Sequence, residues 1–60
     1  MTAKDLEKKI LKAGWVYDRQ TGSHRQYKHN DYPYIITIPF HKGDLKTGLL
    51  HRILKDAGLK

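Results

Sequence analysis

Sixty residues without a cysteine can build only one small domain, near the size limit for folding unaided, and exclude a disulfide framework or a thiolate zinc site. Twelve Lys and Arg against six Asp and Glu give a net charge of +6 and a pI of about 9.8, which selects polyanions as partners. No apolar run approaches the ~20 residues of a membrane span and no signal-peptide core opens the chain, so the expectation is a cytoplasmic single domain over residues 1–60 that makes no membrane contact.

Helical periodicity comes first. Ala3, Leu6, Ile10 and Ala13 fall within one arc at 3.6 residues per turn, and Thr2 with Asp5 has the spacing of a capping box. Gly14 stands where a left-handed stop is favoured. On the outer side Lys4, Lys8 and Lys12 form a basic ridge, either a solvated face or a phosphate-attracting one.

From Trp15 the pattern becomes aromatic and β-branched, which suits a strand. Gln20-Thr21-Gly22-Ser23 supplies turn chemistry, and His24 to His29 reads as a second strand of mixed polarity. Asn30-Asp31 turns the chain again, and Tyr34 to Ile38 is the clearest strand, ended by Pro39. Two short turns joining three strands predict an antiparallel meander. Phe40 to Asp44 is a connecting loop. The last segment is helical, with Leu49, Leu50, Ile53, Leu54 and Ala57 on one face; Asp44 can serve as its N-cap, with Thr47 as a competing start.

The expected fold is therefore α+β, in the order α-β-β-β-α. Each helix has one apolar face to bury and the sheet is the available surface, so both helices pack on one side of a three-stranded antiparallel sheet. The layer is of the kind seen in double-stranded-RNA-binding domains, although topology alone does not establish function.

His24 is the one residue nominated as a catalyst. RNA carries its own nucleophile in the 2′-hydroxyl, and an imidazole can remove that proton or protonate the leaving 5′-oxygen. A glycine turn just before His24 lets backbone approach a phosphate, and nearby lysine and arginine can neutralise developing charge. The competing reading is a histidine hydrogen-bonded at a sheet edge. Alternation puts His24, Gln26 and Lys28 on one strand face and Arg25, Tyr27 and His29 on the other. Tyr27 is the strand's one large apolar payload, so the His24 set is expected to face solvent, with Arg25 and His29 snorkelling at the sheet margin. His41 reads as a loop residue and His51 as one on an exposed helix face. Without cysteine or a clustered carboxylate partner no metal site and no cofactor is expected.

Three blocks of residues resemble the HicA (YcfA-like) toxin family of bacterial toxin–antitoxin modules. They are Ala13-Gly14-Trp15; Gly22-Ser23-His24 with Tyr27; and a C-terminal run of Ile38-Pro39-Phe40-His41, Asp44-Leu45, Gly48 and Arg52 to Leu59. The resemblance implies a double-stranded-RNA-binding-like fold and ribosome-independent, metal-free cleavage of mRNA. It places the family's catalytic histidine on His24 and its glycine and serine on Gly22 and Ser23, and it implies a HicB-type antitoxin partner that covers the active surface. Two positions depart from the pattern: Arg25 stands where many members carry a second histidine, and Leu49 where the family often has threonine.

The leading reading is thus an endoribonuclease toxin acting on mRNA through His24, with Lys4, Lys8, Lys12, Gly22, Ser23, Arg25 and Lys28 contacting RNA. The alternatives are a non-catalytic RNA-binding module of the same fold and a small basic protein-binding adaptor.

Overall fold

A computed structural model describes residues 1–60. The first helix, α1, spans Ala3–Lys12. Its start is a reciprocal capping box: the Asp5 amide donates to Thr2 Oγ1 at 3.2 Å and the Thr2 amide to Asp5 Oδ2 at 3.3 Å. Two donors that the helix cannot satisfy are thereby paired. Gly14 at φ 97° turns the chain out of the helix. Its missing side chain is also required for space, because a Cβ there would lie 2.8 Å from the His29 ring.

Three strands follow, β1 (Val16–Thr21), β2 (His24–Lys28) and β3 (Ile36–Pro39), in the antiparallel order β1-β2-β3. The first hairpin is tighter than the expected four-residue turn. Thr21 pairs with His24, so only Gly22 and Ser23 form the loop. Gly22 has φ 59° and Ser23 a negative φ, the type II′ pattern that matches strand twist. A bulge between Tyr17 and Arg19 lets Asp18 reach Lys28, with 3.7 Å between Oδ1 and Nζ.

β3 begins two residues later than the sequence pattern suggests. Tyr34 leaves the ladder because its hydroxyl donates to the Asp56 carbonyl at 2.7 Å and its ring stacks near Trp15. The second helix, α2, spans Thr47–Asp56, so Thr47 and not Asp44 marks its start, and its N-cap Lys46 makes no side-chain cap bond. Asp44 is used elsewhere: it forms a β-bridge with Thr2, and its carboxylate lies 3.5 Å from the N-terminal ammonium.

Both helices lie on one sheet face. The core is Ala3, Leu6 and Ile10 of α1, Tyr27, Ile36 and Ile38 of the sheet, and Ile53 and Ala57 at the second helix, with Trp15 between them. Trp15 leads into β1 but turns inward, only 1% exposed, and its indole N–H donates to the Ala57 carbonyl at 3.2 Å. Leu49, Leu50 and Leu54 are only half-buried, so the apolar face of α2 is incompletely covered. The opposite sheet face carries Arg19, Thr21, His24, Gln26, Lys28 and Thr37 and packs against nothing. No helix is long and apolar enough to cross a membrane.

Candidate active site

Alternation along β2 sorts its side chains. Tyr27 is fully buried beneath the helices, so His24, Gln26 and Lys28 project from the open face. His24 and Lys28 are exposed and Gln26 is half-buried, its amide oxygen accepting from Arg19 Nε at 2.9 Å. His24 is the first residue after the Gly22-Ser23 turn, with Thr21 on one side and Pro39 on the other. Neither neighbour is bulky enough to cover the ring.

Arg25 goes the other way. Its Nη1 donates to Glu7 Oε2 at 3.1 Å, and its guanidinium lies 4.1 Å from the centre of the Phe40 ring. The same Glu7 oxygen accepts from the Tyr27 hydroxyl at 2.5 Å. Burial, reinforced by this bond to a carboxylate, pushes the Tyr27 phenol well above its usual range. The Glu7 hydrogen bond likewise raises Arg25 and holds it charged. The expected snorkelling of Arg25 is thus replaced by an ion pair, although 36% of its side chain remains exposed. Glu7, half-buried here, was not singled out by sequence; its position beside the apolar arc of α1 was the available signal.

The lysine ridge occupies a separate surface. Ala3, Leu6 and Ile10 of α1 point into the core, so exposed Lys4, Lys8 and Lys12 face away from the sheet and from His24. Gly22 and Ser23 adjoin His24; Lys28 shares its sheet face but stands at the other end of β2, paired with Asp18, and Lys4, Lys8 and Lys12 lie on another surface. Trp15 and Tyr27 are core residues and offer no face for base stacking.

The four histidines divide clearly. His29 is committed to the fold: the Asp31 amide donates to its Nδ1 at 3.0 Å, so Nε2 carries the hydrogen that reaches the Ala13 carbonyl at 3.1 Å. His51 is exposed on α2. His41, read from sequence as a loop residue, comes to the catalytic candidate: its ring centre lies 6.2 Å from that of His24, the planes at 83°. The Phe40 amide donates to the Ser23 carbonyl at 2.7 Å, which joins the loop to the hairpin turn beside both histidines. At the other end of the loop, the Leu45 amide donates to the Met1 carbonyl at 2.9 Å. The proline-x-histidine block signalled this loop, but not that it closes on His24. No three His, Asp or Glu side chains converge as a metal-ligand set.

A family model described as "HicA toxin of bacterial toxin-antitoxin" matches residues 3–59, nearly the whole chain. The chain belongs to the HicA toxin family. No curated protein matches it. As a HicA-family toxin it acts within a toxin–antitoxin system and has an antitoxin partner. That membership agrees with the helix, three antiparallel strands and helix found here.

Proposed function

We propose that this HicA toxin is an endoribonuclease that cuts mRNA independently of the ribosome, with His24 as a proton-transfer group and no metal. The observation that carries the reading is the position of His24: an exposed imidazole on the open sheet face, directly after a two-residue glycine turn. A phosphodiester can reach such a ring without displacing any core residue. Gly22 and Ser23 bring backbone close to the phosphate, and Lys28, at the far end of the same strand face, meets the RNA beyond the cut.

Arg25, anchored to Glu7, meets RNA through its exposed edge at the sheet margin. Lys4, Lys8 and Lys12 attract RNA by their field from the far side of α1, and the cut phosphate stays at the sheet. The antitoxin is a HicB-type protein that covers the open face.

The test is cleavage by purified wild-type and His24→Ala proteins with matched circular dichroism. Removing one positioned acid–base group typically costs ~10²–10⁴-fold in rate. The variant should bind RNA and antitoxin yet fail to cut. Wild-type products should end in a 2′,3′-cyclic phosphate, and cutting should persist in EDTA. Equal cutting by the two proteins would remove His24 from the mechanism.

A further inference from the structure

We propose that His41 is the second proton-transfer group of this site, paired with His24 as acid and base across one phosphodiester. The inference rests on the endoribonuclease reading above and goes beyond its single histidine.

Three observations carry it. The rings of His24 and His41 are 6.2 Å apart centre to centre and nearly perpendicular, which leaves them separate rather than bonded to each other. Both residues are exposed, and neither spends a ring nitrogen within the chain, unlike His29. The backbones that carry the rings are also joined: the Phe40–Ser23 bond ties the residue before His41 to the residue before His24. A loop histidine whose backbone is held beside a strand histidine is what a two-sided transfer needs.

The chemistry asks for two groups. One imidazole takes the proton from the 2′-hydroxyl as the 2′-oxygen bonds to phosphorus. The bond from phosphorus to the 5′-oxygen breaks, its electron pair leaves on that oxygen, and the second imidazole, protonated beforehand, donates to it. The products are a 2′,3′-cyclic phosphate and a 5′-hydroxyl. The imidazoles finish with their protonation states exchanged and are reset through water. Beside the pair, His41, Lys42 and Lys46 help to line a depression of about 350 Å³. Two ammonium groups there can balance charge gathering on the phosphate oxygens.

The experiment compares wild-type, His24→Ala, His41→Ala and His41→Gln proteins on two RNA oligonucleotides. One has natural linkages; the other carries a bridging sulfur in place of the 5′-oxygen at the cut, whose thiolate leaves without protonation. Circular dichroism and RNA affinity should match wild type in the His41 variants, because the residue is exposed and buries no apolar area. On natural RNA each single-histidine variant should lose ~10²–10⁴-fold in rate. On the sulfur-bridged RNA one histidine's replacement should recover to near the wild-type rate and the other should not; the recovered position is the acid. Natural RNA cut at the wild-type rate by both His41 variants would overturn the pairing, as would recovery at both positions or at neither. A wild-type protein that cuts no RNA, or a His24→Ala protein that cuts as wild type does, would instead remove the endoribonuclease reading itself.

Discussion

Glu7 serves two partners from one oxygen, accepting from the Tyr27 hydroxyl and the Arg25 guanidinium. It thereby fixes the inner face of β2, on whose other face His24 stands. Tyr27→Phe keeps the ring in the core but removes one charge-assisted hydrogen bond, which should cost ~1.5–3 kcal/mol in chemical denaturation. A loss well below that would show that the bond contributes little beyond packing. Trp15 and Tyr27 were both legible as large apolar residues. Which way Arg25 would turn was not, because the answer depends on a carboxylate placed by a different element. The proximity of His41 to His24 was hidden for the same reason. Nothing within the local sequence of either histidine encodes it; the loop's attachment to Ser23 does.

The capping box of α1 makes an element-scale prediction. Hydrogen bonding by Thr2, through its side chain and then its backbone, holds the Asp5 carboxyl below its ordinary value of 3.8. A group depressed in the folded state contributes stability that is present above its unfolded value and is lost as pH falls through the folded one. Acidification below 3.8 should therefore weaken the start of α1, and Asp5→Asn should flatten that part of the pH–stability curve. An unchanged acid limb would exclude the contribution. The turns differ among themselves. Gly14→Ala meets both the positive φ and the His29 ring, whereas Gly22→Ala meets only the φ, with open space around it. The first should lower the melting temperature more than the second; the reverse order would show that the hairpin turn limits stability. Periodicity and turn chemistry revealed all five elements, since each rests on local pattern. Their ends shifted where tertiary bonds intervened, at Tyr34 through Asp56 and at Asp44 through Thr2 and the N-terminus.

Nine buried residues make a thin core for sixty, and one whole sheet face remains open. Antitoxin binding would add to stability by mass action. Charge is distributed over both sides of the molecule, with the lysine ridge on α1 and Lys28 and Arg19 on the sheet. Replacing Lys4, Lys8 and Lys12 together with Gln should weaken RNA binding and flatten its salt dependence, because fewer counterions are released. The melting temperature should move little, since exposed charges rarely matter by more than ~0.5 kcal/mol. A large fall in melting temperature with unaltered RNA affinity would overturn the assignment of the ridge to RNA attraction. Net charge was read directly from the sequence, but its partition between opposite faces required the folded chain.

The bond from the Trp15 indole to the Ala57 carbonyl gives the molecule an optical gauge. Trp15 is the only tryptophan, and it sits where the chain leaves α1 for β1 and meets the end of α2. Its emission therefore registers the docking of the last helix against the hairpin, in a place remote from His24 and the open face. A protein whose sheet face is covered by a partner should keep a blue-shifted spectrum, while one whose terminal helix has peeled away should shift to the red. Fluorescence alone would then tell an inhibited toxin from an unravelling one, without a label.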